Sequence, residues 1–350
     1  MTRFKRARAL LIKEIRLLLK RPAVLFLLIF VPIFFGLVFA SYESAIPKDT
    51  PVAIVLKGNV SQDEVKEILS IARTFSSPTL VPGMKEAIDG LQRENYYVII
   101  EIQNYTDLSH GSYTVYYDDS MTPVASISEN LLEILQIRFG GARIRSVPLN
   151  RHASLPEFFF PGVLLIMAMI IGMEVVPDNT IEDAPVLPRL KMVSSIWTNF
   201  SVRFLMAIGL AFFQALLAFL SYRLTPNSPN FTLAALFVLF MTTLYLALLG
   251  LAFVLAFRFE RYSKGYLQVT AGFLVFMSGM LYPVGFFPKS LQYLAHLLPT
   301  YYSTVMMRAF MYRSVHPSLF SDYLAVITLW TIGLFLLDLL LAGRLKEWAP

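Results

Sequence analysis

The chain has 350 residues, 56% of them hydrophobic and only 15% charged, with a formal net charge of +6. Soluble domains carry about 25% charged residues, so this balance excludes an ordinary soluble protein and points to a bilayer. There is no cysteine, which excludes disulfides, thiolate catalysis and zinc–thiolate sites.

The first 22 residues hold eight Lys/Arg against one Glu. At helical spacing Phe4, Ala7, Leu10, Leu11, Ile15 and Leu18 share one side, Lys5, Arg6, Lys13, Arg16 and Lys20 the other, and Pro22 ends the run. This sidedness predicts an interfacial helix over 1–22 with its cations toward anionic headgroups. An apolar run at 23–40 predicts span one. Val38-Phe39-Ala40 resembles a signal-peptidase site, but the basic region is long and the apolar run exceeds a signal-peptide core, so a retained span is the reading.

Residues 41–157 differ in kind and hold 15 of the 24 acidic residues. Their pattern predicts a strand at 51–56, a Ser-capped helix at 61–75, a weak strand at 79–81, a helix at 82–95, strands at 96–102 and 112–118, and a helix at 123–140 ended by Gly140 and Gly141. The expectation is a small α/β domain without a chemical site. Asp118 and Asp119 face opposite sides of a strand and suit a turn, and His110 and His152 have no neighbours at ligand spacing.

Residues 158–343 read as a five-span region, with apolar runs at 158–176, 199–221, 231–257, 266–283 and 323–343. If both termini are cytoplasmic, the inner segments 1–22, 177–198, 258–265 and 344–350 carry 8, 2, 3 and 2 Lys/Arg. The outer loops 223–230 and 286–322 carry one and three. That bias obeys the positive-inside rule and places 41–157 outside. The basic balance thus reports orientation in a cell (inner) membrane, not binding to nucleic acid. Few polar groups interrupt the spans. Gln214 and Glu174 are candidates for lining a path, Arg203 is read as snorkelling, and Asp338 is expected to pair with Arg344. No HExxH, GxSxG or GxxxxGK[ST] occurs, so no catalytic or metal residue is assigned and the chain has no phosphate-binding loop of its own.

The stretch Ser278–Phe310 is apolar yet carries Pro283, Gly285, Pro288, Lys289 and Pro299. Irregular backbone survives in a bilayer only when buried in protein or beside water. The expectation is a re-entrant hairpin at 286–318, two short helices split at Pro299. Ser278, Gly279, Pro283, Pro288, Leu291, Leu294, Leu298, Pro299, Tyr302 and Arg308 together resemble the C-terminal signature of the ABC-2, export-type permeases, in the subclass with a large external domain between spans one and two. In the loop 177–198 Glu182 and Leu190 fit the family pattern, whereas Val186–Leu187 replace its Gly-Thr and Ser194–Ser195 stand where Pro is common.

The resemblance implies a polytopic α-helical membrane protein. It would have six transmembrane helices, an N-terminal interfacial helix, a re-entrant hairpin and a small α/β extracellular domain. It implies a permease subunit of an ATP-driven exporter of a drug-, lipid-, peptide- or ion-like substrate, paired with a second permease copy or a paralogue. Two ATPase subunits would bind ATP and Mg, and this chain no cofactor. Glu182, Leu190, Lys191, Val193 and Trp197 would form the ATPase-docking surface, and Pro283, Gly285, Pro288, Pro299 and Tyr302 an external gate. Two other classes are weighed against it: a receptor or mechanotransmission protein with an external sensor, and an ion-coupled secondary carrier.

Overall fold

A computed structural model describes residues 26, 29–34, 36–37, 47, 49–58, 61–103, 111–138, 143–182, 185, 196–222, 232–313 and 315–344. The interfacial helix expected over 1–22, most of the loop 183–195 and the tail after Arg344 lie outside these residues. So does His110.

The acidic region folds around a five-stranded sheet of order β2-β1-β3-β4-β5. Its strands are β1 (Pro51–Lys57), β2 (Ser77–Leu80), β3 (Val98–Gln103), β4 (Ser112–Asp118) and β5 (Arg143–Leu149). Only the β3–β4 pair is antiparallel. Three helices accompany them: α1 (Gln62–Ala72), α2 (Met84–Gln92) and α3 (Thr122–Arg138). Ser61 and Glu64 cap α1 reciprocally, the Ser61 amide donating to Glu64 Oε2 at 2.6 Å and the Glu64 amide to Ser61 Oγ at 3.4 Å. Alternation along β1 sends Val52 and Ile54 to one face, with Ile68 and Ala72 of α1 and Val124 and Ile127 of α3. Ala53 and Val55 go to the other face, with Ala87 and Leu91 of α2.

Among the described residues, four helices are long and apolar enough to cross a bilayer: Leu155–Glu182, Ser201–Ser221, Leu233–Ala256 and Pro317–Arg344. The first is α4 (Leu155–Ile170), a π-helical turn at Ile171–Val175, and α5 (Val176–Glu182). The next two lie in α6 (Ile196–Tyr222) and α7 (Leu233–Ala256), and the last is a 3-10 turn (Pro317–Phe320) followed by α11 (Ser321–Arg344). α7 is the hub, packing against α4, α6, α10 and α11. It comes closest to the π turn, where a Cβ on Gly250 would sit 2.5 Å from the Gly172 carbonyl oxygen and one on Gly172 2.8 Å from the Ala247 nitrogen. The described residues between 26 and 37 are helical.

The run expected to span at 266–283 forms α8 (Ser263–Met277). At about 1.5 Å per residue its 15 residues reach roughly 22 Å, short of the ~30 Å hydrocarbon core. The helix stops because Ser278 caps it and Gly279 takes φ +74°. Beyond come a 3-10 turn at Val284–Phe286, α9 (Lys289–Ala295) and α10 (Pro299–Tyr312). Pro299 stands in the first turn of α10, where its missing N–H costs nothing, and Leu298 before it is extended, as a residue preceding proline should be.

Candidate functional site at the junction of sheet and helices

The C-terminal end of α2 is the starting point. Arg93 caps the helix, and Glu94 follows with φ +58°. The left-handed conformation is usual for Gly at this place and costs other residues about 1 kcal/mol or more. Here it turns the Glu94 side chain into the protein, where it is 1% exposed. Arg308 of α10 meets it as a fork, Nε donating to Oε1 at 2.9 Å and Nη2 to Oε2 at 2.7 Å. The third Arg308 nitrogen, Nη1, donates to the Gly279 carbonyl at 2.8 Å.

Arg313, just beyond α10, completes the cluster. Its Nη2 donates to Glu94 Oε1 at 2.8 Å and its Nη1 to the Gln92 carbonyl at 2.7 Å. Its Nε lies 2.7 Å from Asp118 Oδ2, at the end of β4. The other Asp118 oxygen accepts from the Ser120 amide at 3.0 Å, the Ser120 hydroxyl at 2.6 Å and Asn150 Nδ2 at 2.8 Å. Two acids and two guanidiniums thus balance with almost every lone pair and proton used, the condition under which buried charges are tolerated. Burial pushes the Glu94 carboxyl up, but the Arg308 and Arg313 charges outweigh it and hold it below the usual carboxylate range. Burial pulls the Arg313 guanidinium down, and the Asp118 and Glu94 charges more than restore it.

Around this cluster the sheet and the helices share one surface. Phe158 of α4 and Phe286 of the 3-10 turn belong to the same apolar cluster as the β1 and β3 side chains. Tyr97 packs closely against Gly285, whose amide donates to the Tyr97 hydroxyl at 3.1 Å, and a Cβ at Gly285 would fall 2.0 Å from Tyr97 Cε2. Burial, with Glu94 close by, raises the Tyr97 phenol and keeps it protonated. The Lys289 amide donates to Asp49 Oδ2 at 3.0 Å, and Gln292 Nε2 reaches the carbonyls of Asp49, Gly285 and Phe287. On the far side Arg93 pairs with Asp322 and stacks over the Tyr323 ring at 4.5 Å, while the Tyr323 hydroxyl donates to the Arg93 carbonyl and Asn95 Oδ1.

The residues singled out in the sequence fall into separate groups. Gly285, Pro283 and Pro288 lie at this junction, with Pro288 as the N-cap of α9. Tyr302 donates to the His296 carbonyl at 2.7 Å and meets the Tyr323 ring edge-on. Glu174 is exposed beside a groove of about 180 Å³ between α4 and α8, shared with Gln268 and Gly272. Gln214 is on α6, away from that groove, and its Oε1 has no hydrogen-bond partner among the described residues. Glu182 ends α5 and is exposed. Trp197 belongs to the first turn of α6 with its side chain outside the described residues, as are Leu190, Lys191 and Val193 altogether.

Three expectations need correction. Asp118 is not an exposed turn residue: it is buried on Arg313, while Asp119 on the opposite side meets His152 at 3.2 Å. Asp338 does not pair with Arg344, because six residues along a helix put the two on different faces; Asp338 is fully buried and neither carboxyl oxygen has a hydrogen-bond partner among the described residues. Arg203 does not simply snorkel, since its Nη1 donates to Thr180 Oγ1 at 2.8 Å.

No motif in the sequence marks Glu94 or Arg313. A Glu in the place after a helix C-cap where Gly is usual was the only available sign. Compared with known families, the chain matches the ABC-2 family transporter protein model over residues 22–342. No curated protein and no solved structure matches it.

Proposed function

The chain belongs to the ABC-2 transporter family, and from that premise we propose that it is the membrane-spanning permease subunit of an ATP-driven exporter. The match over residues 22–342, together with four apolar helices long enough to cross a bilayer, carries the reading. It is a multi-pass membrane protein, and permeases of this family normally work with an ATPase subunit.

The finer reading follows from chemistry. A chain without a phosphate-binding loop needs an outside source of energy, so ATP and Mg are held by the partner ATPase and none by this chain. Two ATPase copies serve a pair of permeases, and the substrate is drug-, lipid-, peptide- or ion-like. The segment around 26–37 and the α8 region complete six spans, with 41–157 outside and both termini inside a cell membrane; the Lys/Arg bias supports this orientation.

In that frame α9 and α10, roughly 10 and 21 Å long, enter from the outside and return. Pro283, Gly285, Pro288, Pro299 and Tyr302 shape this external gate, and the buried Glu94–Arg308–Arg313–Asp118 cluster ties it to the sheet domain. Inside, Glu182, Leu190, Lys191, Val193 and Trp197 form the surface on which the ATPase pushes. The Lys264–Asp178 contact at 2.6 Å supports a shared inner platform made by α5 and the start of α8. Glu174 and Gln214 line the path.

The test is purification of the tagged chain from its native membrane. An ATPase subunit co-purifies and the complex hydrolyses ATP, whereas Leu190→Asp with Val193→Asp leaves the chain inserted and loses the subunit. Recovery of the intact chain without any such subunit overturns the reading. Transport in vesicles that persists when ion gradients are collapsed and stops without ATP separates it from an ion-coupled carrier and from a receptor.

A further inference from the structure

Among the described residues, one face of the sheet is only half covered. α2 lies over the end nearest the helices, where Ala53, Val55 and Ile99 meet Ala87 and Leu91. Toward the other end the same face turns polar. The pairing register places Lys57, Gln103, Ser112 and Arg143 in one row across four strands, and Glu101, Thr114 and Arg145 in the next. These residues line an open cavity of about 610 Å³, within the size range of small-molecule sites.

The charges in this cavity are not equivalent. Glu101 is buried in the floor, where it accepts from the Tyr116 hydroxyl at 3.0 Å and is neutralised by Lys57 Nζ at 2.6 Å. Arg143 and Arg145 are exposed, and neither forms an ion pair among the described residues. They stand two residues apart on one face of the edge strand, about 7 Å from each other. Two exposed guanidiniums stand beside the hydroxyls of Ser112 and Thr114, while the Gln103 side chain is engaged by Glu101. Donors are therefore in excess, and a guanidinium fork fits a carboxylate or phosphate in two-point fashion.

We propose that this polar end of the sheet is a binding site for a small soluble oxyanion, held by Arg143 and Arg145 with Ser112 and Thr114 beneath it. The far end of the sheet points away from the junction: Thr50, Tyr97, Asp118 and Leu149 mark the end near the helices, and Lys57, Gln103, Ser112 and Arg143 the opposite end. A headgroup of the bilayer crossed by those helices is therefore out of reach, and the occupant comes from solution. The site does not depend on the transport reading.

The experiment is isothermal titration of the full-length chain in detergent at low ionic strength, with pyrophosphate in one arm and citrate in the other. At least one binds saturably, and Arg143→Gln with Arg145→Gln weakens it tenfold or more at an unchanged unfolding temperature. A control removing two cations elsewhere on the domain, Lys66→Gln with Lys85→Gln, leaves binding as it was. Absence of saturable binding in both arms, equal binding by the arginine variant, or an equal loss in the control overturns the site.

Discussion

Arg308 and Glu94, 214 residues apart in the chain, meet through two parallel hydrogen bonds of 2.9 and 2.7 Å at a place where both side chains are 3% exposed or less. One belongs to the helical region and the other to the sheet domain. Removing one partner strands the other charge out of water, which typically costs 3–5 kcal/mol. Arg308→Ala or Glu94→Ala should therefore lower the unfolding temperature strongly and expose 93–97 to protease. Arg308→Ala with Glu94→Ala should lose much less than the sum of the single changes, because Arg313 and Asp118 still balance and no uncompensated charge remains. Thermal unfolding of the four proteins in detergent checks this, and additive losses would argue against a coupled pair.

The same pair sets a pH dependence. Glu94 is held below its ordinary value of 4.5, so its contribution is complete above that pH and is lost as the pH falls through the lower folded-state value. Hydrogen exchange at residues 93–97 should accelerate on acidification through this window. In Glu94→Gln the exchange should already be fast at neutral pH and respond little to acid.

Gly285 and Tyr97 test the fit of the junction. A methyl group at Gly285 would collide with the Tyr97 ring at 2.0 Å, an overlap no small shift can absorb. Gly285→Ala should cost about 1–3 kcal/mol or more through overpacking. Tyr97→Phe removes only the hydroxyl that accepts from the Gly285 amide and leaves a buried donor unpaired, a loss of about 1–3 kcal/mol. Tyr97→Leu should partly rescue Gly285→Ala. Unfolding temperatures read all three, and lack of rescue would mean that the clash is not what the alanine costs.

The chain has no cysteine, so single substitutions report orientation cleanly. Lys66→Cys on exposed α1 should react with an impermeant thiol reagent in intact cells, and Glu260→Cys between α7 and α8 only after permeabilisation. The reverse pattern would invert the topology.

The apolar helices were legible because composition alone dictates them: α7 departs from the expected run 231–257 by two residues at its start and one at its end. The strand at 112–118 was equally plain from alternation, and Pro299 marked the start of α10 by its chemistry. β5 was missed because an edge strand reading RIRSVPL, with two exposed arginines and a proline, carries little apolar signal. α8 ended early because a single Gly279 in the left-handed conformation outweighed the apolar residues after it. The buried cluster was the least legible part. Glu94 reads as a surface residue and Asp118 as a turn, and only the tertiary meeting of α2, β4 and α10 shows that each is the counter-charge of an arginine.

The central claim is that the sheet domain and the α9–α10 hairpin of this ABC-2 family protein move as one body. Lys66 of α1 and Tyr293 of α9 are exposed and suit spin labels after replacement by cysteine, and Glu260 supplies a reference at the opposite end of α7. Pulsed electron resonance distances in the complex with the ATPase subunit proposed above, with and without trapped ATP, test the claim directly. The account predicts an unchanged 66–293 distance distribution while the 293–260 distribution shifts. A 66–293 distance that changes with nucleotide would contradict it, because the buried Glu94–Arg308–Arg313–Asp118 cluster would then not hold the two together.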